Sequence, residues 1–194
     1  MRHLIIYAHP VDTSYAAALR DQVMASLRQA GHEVRLIDLY AEGFDPALSR
    51  DERLSYHTPG ENERTVEAHL AQIKWAQALV FVYPTWWYGL PAMLKGWFDR
   101  VWIPFVTFSL SEKGKIRGLM DNIVRLVIVT TAGSPWWWLK LMGSPGRVTI
   151  MRGVRALCHW RCQKIWLAHY RMDHSTDESR AAFLAKVARR LAKP

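Results

Sequence analysis

Hydrophobic and polar residues alternate along the chain in segments that fit strands and helices by turns. Five short segments are apolar or alternate strictly, which is typical of strands. They cover residues 3–8, 33–39, 78–83, 123–130 and 163–168. Hydrophobic positions spaced three or four apart predict helices between these strands. The clearest helical segments are residues 14–30, 61–77 and 91–101.

The remaining segments are less regular. Residues 40–60 form a polar connection longer than most loops, so we expect it to be functional or partly helical. Residues 103–122 are irregular and are expected to contain a small hairpin, and residues 149–158 fit another helix. Ser175 and Glu178 have the spacing of a capping box, which predicts that the final helix begins there.

Strands that alternate with helices form a parallel sheet covered on both faces. The sequence therefore predicts an α/β fold with a doubly wound, five-stranded parallel sheet and helices on both faces. The flavodoxin-like strand order 2-1-3-4-5 is one common form of such a sheet. No repeat, low-complexity tract or linker divides the chain, so residues 1–194 are expected to form a single flavodoxin-like domain.

The composition of the chain narrows the range of cellular locations that we expect for the protein. No hydrophobic run approaches the roughly 20 residues of a membrane-spanning helix. The first residues lack the apolar region and cleavage site of a signal peptide. Cys158 and Cys162 are the only cysteines, and too few ligands accompany them for a metal site. We therefore expect reduced thiols, no bound metal and a cytoplasmic location.

The net charge is +9, with an isoelectric point near 9.8. One interpretation is a solvated basic surface. The other is attraction of a phosphate-bearing cofactor or of an anionic surface. The basic residues are scattered rather than gathered in one stripe, so no nucleic-acid partner is expected.

Three turns would meet at one sheet edge in this strand order, because the carboxyl ends of parallel strands lie together. Residues 8–15 offer hydroxyls and helix N-terminal N–H groups, which fit a phosphate, or else they merely cap the helix. Residues 84–89 hold three large aromatics in a turn bounded by Pro84 and Pro91, which fits a planar ligand or an aromatic core cluster. Residues 130–135 either present backbone N–H groups to an acceptor or form an ordinary turn.

Residues 83–102 resemble the signature of the flavodoxin-like NAD(P)H:quinone oxidoreductases, the group of DT-diaphorase, modulator of drug activity and potassium-efflux ancillary proteins. The signature is roughly Pro-x-x-Trp-aromatic-x-x-Pro-x-x-Leu-Lys-x-Trp-hydrophobic-acidic-Arg/Lys-Val. The matching residues are Pro84, Trp87, Tyr88, Pro91, Leu94, Lys95, Trp97, Phe98, Asp99, Arg100 and Val101. Residues 7–10, 14–15, 38–40, 44–46 and 130–133 resemble further family segments, and the resemblance runs through about residue 135.

The resemblance implies a bound flavin, FAD or FMN, with the first loop favouring FAD. It also implies a two-step cycle, in which NAD(P)H reduces the flavin and a quinone or similar electrophile then takes two electrons at the same face. The implied cofactor-binding residues are His9, Thr13, Ser14, Tyr15 and Ala16 at the phosphate end, Pro84, Thr85, Trp86, Trp87 and Tyr88 along one side, and Thr130, Thr131, Ala132 and Gly133 at the other edge.

Trp87, Tyr88 and Gly133 are the catalytic candidates. The two aromatic rings could stack with nicotinamide or quinone, and backbone N–H groups near Gly133 could stabilise negative charge on the reduced flavin. Trp138 and Ser144 stand where DT-diaphorase-type members carry Tyr and His, so no proton-transfer residue is assigned. The family places its site at a subunit interface, so a homodimer is expected.

Residues Trp136, Trp137 and Trp138 are the least typical segment of the chain. A substrate lid, a dimer contact and a peripheral membrane contact all fit, the last because Trp lies beside Lys140 in a positively charged protein. A partly buried aromatic cluster is the simplest alternative.

Two other functional classes stay open from the sequence. A flavodoxin-like electron carrier fits the fold, although such carriers tend to be acidic for docking. A flavin-binding regulatory subunit of a membrane transporter is the third class.

Overall fold

The computed structural model describes residues 1–111 and 114–192. None of the described helices is both long and apolar enough to cross a membrane. The strands are β1 (Arg2–Tyr7), β2 (Glu33–Asp38), β3 (Ala78–Thr85), β4 (Phe108–Leu110), β5 (Ile116–Gly118), β6 (Arg125–Ala132) and β7 (Gln163–His169). The α-helices are α1 (Tyr15–Gln29), α2 (Arg50–Ser55), α3 (Glu67–Trp75), α4 (Ala92–Val101), α5 (Trp136–Leu141), α6 (Pro145–Val148) and α7 (Asp177–Leu191).

Five strands form one parallel sheet in the spatial order β2-β1-β3-β6-β7. They are the five predicted strands in chain order, so the predicted order 2-1-3-4-5 is confirmed. β4 and β5 pair as the small antiparallel hairpin predicted within residues 103–122. The order reverses between β1 and β3, and this reversal is where open α/β sheets bind ligands.

Helices cover both faces of the sheet, as predicted. Successive strand residues point to opposite faces, and each face of this sheet is apolar. In β3, Val80 and Val82 pack with residues of α1 and α7, whereas Leu79 and Phe81 pack on the opposite face. Trp97 of α4 is fully buried on that second face, against the ring of Phe81. The packing holds the motif-bearing helix α4 rigidly beneath the end of β3.

The long connection of residues 40–60 contains α2, so the prediction of partial helix is confirmed. Ser49 and Glu52 form a capping box at the start of this helix. Burial alone would raise the pKa of Glu52, but hydrogen bonds from Ser49, Thr65 and Arg100 outweigh it and lower the pKa to about 2. The Glu52–Arg100 ion pair, at 2.5 Å, joins α2 to α4.

The helix predicted over residues 61–77 is wrong in extent, because only α3 is helical. The preceding residues form turns. Asn62 is buried there, and its side-chain amide donates to the carbonyls of Tyr56 and Pro104 at 3.1 Å each. These bonds hold the backbone in a non-helical path.

The helix predicted over residues 149–158 is also irregular. A π-helical turn at Thr149–Gly153 leads into a 3₁₀ turn at Val154–Leu157. The backbone of Leu157 lies so close to Gly118 of the hairpin that a Cβ on Gly118 would overlap it. This tertiary contact accompanies the departure from regular α-helical winding.

The final helix begins one residue later than predicted. Thr176 is its N-cap: the Thr176 hydroxyl accepts from the N–H of Ser179, and the Ser179 hydroxyl accepts from the N–H of Thr176. Ser175 does not cap the helix, because its hydroxyl donates to the carbonyl of Met172 at 2.7 Å. The predicted Ser175–Glu178 capping box is therefore wrong.

Candidate active site

A cleft of about 630 Å³ opens at the carboxyl ends of β3 and β6. A second hollow, of about 210 Å³, lies beside it at the start of α1. The two share Pro84, Trp86, Thr131 and Met172, so they adjoin each other, and together we call them the edge groove. Its lining residues are His9, Ser14, Tyr15, Ala16, Pro84, Thr85, Trp86, Trp87, Tyr88, Thr131, Ala132, Gly133, Ser134, Leu139, Met172 and Asp173.

The edge groove brings together the three turns that the sequence singled out. Of the residues predicted to hold a flavin, all except Thr13 and Thr130 line it. Thr13 is exposed in the loop before α1. Thr130 is buried inside β6, where its hydroxyl lies 3.0 Å from that of Thr85. That these residues bind a flavin stays a prediction.

The phosphate end predicted for the groove lies at the N-terminus of α1. The Ser14 hydroxyl caps this helix by accepting from the N–H of Ala17 at 3.2 Å, so the capping alternative holds, and the same residue also lines the groove. Tyr15 and Ala16 occupy the first turn, where backbone N–H groups have no partner inside the helix. No acidic residue stands in that turn, so the positive end of the helix dipole is left for an anion.

Two aromatic side chains fix the backbone beside α1. The Nδ1 atom of His9 lies 3.1 Å from the backbone nitrogen of Val11 and 3.2 Å from its carbonyl oxygen. The Tyr15 hydroxyl donates to the carbonyl of Arg180 at 2.8 Å and so joins α1 to α7. Burial raises the pKa of Tyr15 to about 12, against the opposing effect of the Arg180 charge. Both side chains line the groove in positions fixed by hydrogen bonds to the backbone.

The aromatic turn at the groove mouth is strained. Its central residues Trp87 and Tyr88 both have positive φ angles, 47° and 63°, and the N–H of Gly89 closes the turn on the carbonyl of Trp86. Each non-glycine residue held in this region costs roughly 1–2 kcal/mol, and such strain concentrates at functional sites. Trp87 is 94% exposed, so an aromatic core cluster is the wrong interpretation for this ring.

Trp138 acts on the groove through Tyr88. Its indole Nε1 donates to the Tyr88 hydroxyl at 3.2 Å, which ties α5 to the strained turn. Ser144, the second departure from the DT-diaphorase pattern, donates from its hydroxyl to the carbonyl of Leu139 at 3.0 Å and so ends α5. Leu139 lines the groove, whereas neither Trp138 nor Ser144 does. Trp138 and Ser144, which differ from the DT-diaphorase pattern, therefore support the wall of the groove.

Backbone donors are available after β6. Among the described residues, the N–H groups of Gly133 and Ser134 donate to no other backbone group. Both residues line the edge groove. A pair of unengaged N–H groups at one wall provides a place for an acceptor that carries negative charge.

Ser134, Leu139, Met172 and Asp173 line the groove but were not predicted from the sequence. Met172 and Asp173 lie in the 3₁₀ turn that follows β7, at the same edge as the other three turns. The sheet order was a usable signal, because it places the end of β7 beside the end of β6. The turn carries no recognisable motif, so its sequence gave no indication of a site.

The cysteines and histidines elsewhere have structural surroundings. Cys158 and Cys162 are free and buried, as expected of reduced thiols. His169, at the end of β7, is buried between the rings of Tyr15 and Phe183, and desolvation lowers its pKa. Within residues 1–111 and 114–192, no cluster of three or more His, Cys, Asp or Glu side chains is placed to hold a metal ion.

The fold and the edge groove can now be compared with those of known protein families. A family model for the flavodoxin-like fold matches residues 1–192, and the chain belongs to this family. Among its relatives, NAD(P)H dehydrogenase [quinone] 1 of Rattus norvegicus is 28% identical over 211 residues, which cover 98% of this chain and 76% of the rat protein.

Solved structures give the same picture. The NAD(P)H:quinone oxidoreductase from Methanothermobacter marburgensis has a TM-score of 0.81 at 27% identity, covering 99% of this chain and 94% of its own. An FMN-dependent NADH-azoreductase from Bacillus anthracis, in complex with FMN, has a TM-score of 0.79 at 19% identity, covering 99% and 98%, and so supports the fold alone. The homologues and neighbours are NAD(P)H oxidoreductases, which confirms the family resemblance seen in residues 83–102.

Proposed function

We propose that the protein is a flavin-dependent NAD(P)H:quinone oxidoreductase, which reduces quinones or related electrophiles by two electrons. The observation that carries this proposal is that the two hollows of the edge groove adjoin each other. The edge groove runs from the free N–H groups at the start of α1, past the aromatic turn, to the free N–H groups of Gly133 and Ser134. A long molecule with a phosphate at one end and a flat, electron-accepting ring at the other matches that sequence of surfaces.

The chain's own groups fit a flavin at three points. The first turn of α1 offers N–H donors without a competing carboxylate, which fits the phosphate. Pro84, Trp86 and Tyr88 supply one wall for the ring system. The N–H groups of Gly133 and Ser134 would hold the ring edge that becomes negative on reduction. When bound, the flavin supplies the hydride chemistry.

Substrates would use the open side of the same wall. Trp87 projects into solvent at the mouth and would stack with a nicotinamide or a quinone ring. Tyr88, held by Trp138, would bound the side of that position. One mouth admits one flat substrate at a time, so NAD(P)H and quinone would alternate. No acid or base in the groove is assigned a proton-transfer role.

Finer properties are also expected. The family resemblance favours FAD over FMN and a homodimer whose interface borders the groove. The composition of the sequence favours a single domain over residues 1–194 and a cytoplasmic location with no nucleic-acid partner. The experiment for the cofactor is direct: heat-release it from purified protein and identify it by chromatography.

Steady-state kinetics test the proposed activity. With NADH or NADPH varied at several fixed quinone concentrations, double-reciprocal plots should give parallel lines, as expected when the two substrates alternate in one site. Intersecting lines would exclude a shared site. A flavoprotein that NAD(P)H does not reduce without an added reductase would be an electron carrier, and reduction without quinone turnover would favour a regulatory subunit.

A further inference from the structure

One face of the α5 helix is apolar and exposed beside the edge groove. Trp136, Trp137 and Leu141 are 59%, 50% and 67% exposed, respectively. The opposite side of the helix holds it in place, because Leu139 is buried in the groove wall and Trp138 is bonded to Tyr88. We call the outward residues Trp136, Trp137, Lys140 and Leu141 the α5 face. The helix is therefore fixed on its inner side and leaves large apolar groups exposed on its outer side.

The segment of chain that contains the α5 face carries formal charge of one sign. Residues 122–172 contain eight lysines and arginines and no aspartate or glutamate. Three of these cations are exposed next to α5: Lys140 lies within it, Arg147 lies in α6, and Arg171 donates its backbone N–H to the carbonyl of Ser134, just before α5 begins. The next acid along the chain, Asp173, points its carboxylate at Gly133 in the groove.

This charge pattern distinguishes between two occupants of the face. In a twofold dimer through α5, the same patch would meet itself, and Lys140 and Arg147 of one copy would face those of the other. No carboxylate within residues 122–172 could neutralise that contact. An anionic lipid surface has the complementary sign, and its interface accepts indole rings and Leu side chains while phosphates meet Lys and Arg.

We propose that the α5 face docks on an anionic lipid surface. Trp136, Trp137 and Leu141 enter the interface between headgroups and acyl chains, and Lys140, Arg147 and Arg171 contact lipid phosphates. Docking itself does not depend on the bound flavin. Its use does rest on the proposed function, because Leu139 is shared between α5 and the edge groove, so a docked molecule would open its groove next to lipid-dissolved quinones.

Vesicle co-sedimentation of the purified full chain tests the docking. The probes are phosphatidylcholine vesicles with and without phosphatidylglycerol. The protein should bind the anionic vesicles only, and binding should weaken as salt is raised. Replacing Lys140→Gln and Arg147→Gln together should weaken binding roughly 30-fold, since each cation near an anionic membrane contributes about fivefold. The triple variant Trp136→Ser, Trp137→Ser, Leu141→Ser should weaken it at least about tenfold.

Matched controls lie away from the α5 face. Trp160 is 71% exposed but precedes β7, at the opposite end of the sheet, so Trp160→Ser should bind like the unaltered protein. Arg189→Gln with Arg190→Gln on α7 removes the same charge as the α5 pair and should have less than about threefold effect. Flavin content and NAD(P)H oxidation with a water-soluble quinone, measured for each variant, report on the groove independently of docking.

Three outcomes would overturn the proposal. They are no binding to anionic vesicles, equal loss in the α7 pair and the α5 pair, and full binding by the triple variant. A further contradicting result combines two observations. The unaltered protein does not bind vesicles, and analytical ultracentrifugation shows a concentration-dependent dimer that is absent in the triple variant. The α5 face would then be a subunit interface.

Discussion

The carboxylate of Asp173 occupies the space that a Cβ on residue 133 would need. The two residues come from turns after different strands, β6 and β7, and they meet in the wall of the edge groove. Gly133 is not required here for backbone freedom, since its φ angle is not in the left-handed region. Its lack of a Cβ leaves room for the Asp173 carboxylate, which ends a flexible side chain.

Gly133→Ala is therefore expected to push the Asp173 carboxylate aside and to lower the free energy of unfolding by up to about 1 kcal/mol, because that carboxylate ends a flexible, exposed side chain. Adding Asp173→Ala should restore most of that loss, because the clashing carboxylate is removed. Urea unfolding of the two single variants and the double variant measures this coupling. Gly153→Ala is the matched control, since its Cβ would meet open space, and it should change stability by less than about 0.5 kcal/mol. Additive effects in the double variant would contradict the contact.

Trp138 is expected to matter through its hydrogen bond to Tyr88. Trp138→Phe keeps an aromatic ring but removes the donor, and Tyr88→Phe removes the acceptor. Each change should lower kcat/KM for quinone about fivefold, because one neutral hydrogen bond contributes about 1 kcal/mol. The double variant should be no worse than either single variant. Multiplied effects in this cycle would show that the two side chains act independently.

Ser14 is expected to serve both the helix and the cofactor. Ser14→Ala should cost about 1 kcal/mol of stability as a lost N-cap and should also weaken flavin binding. Ser49→Ala is the matched control, because Ser49 caps α2 by the same geometry and does not line the groove. Calorimetry should show similar losses of stability in both variants, with reduced flavin affinity only in Ser14→Ala. Equal flavin affinities in the two would remove α1 from the site.

The lowered pKa of His3 makes the free energy of unfolding depend on pH. It is fully buried in β1, and desolvation, with the nearby His32, lowers its pKa from 6.5 to about 4. The folded state therefore favours the neutral ring. Its contribution is complete above pH 6.5 and is lost as pH falls from 6.5 towards 4, by up to about 3 kcal/mol.

The His3→Gln variant should flatten that decline in chemical unfolding experiments at a series of pH values. Glu52 affects stability in a lower pH range. Because its pKa is lowered from 4.5 to about 2, its stabilisation is lost only as pH falls below about 4.5. A decline between pH 6.5 and 4 that survives in His3→Gln would assign the effect to other groups.

The sheet was predictable because its strands are locally encoded. Each of the central strands is a short apolar run between polar breaks, and one common strand order then places three turns at one edge. The aromatic turn was found for the same reason, since Pro84 and Pro91 bracket large rings directly after β3.

What the sequence did not show depends on contacts between distant segments. Asn62 ends up buried against Pro104, and this contact shortens the predicted helix. Ser175 is engaged by Met172, so the cap moves to Thr176. Asp173 enters the groove through a turn without a motif. In each case a tertiary partner, absent from the local pattern, overrides the local preference.

The most direct test of the central claim is an anaerobic titration of the purified protein followed by its visible absorbance. We predict a yellow protein with one flavin per chain, bleached by one equivalent of NADH or NADPH and restored to its full absorbance by one equivalent of quinone. A colourless protein that takes up neither FMN nor FAD on incubation would contradict it.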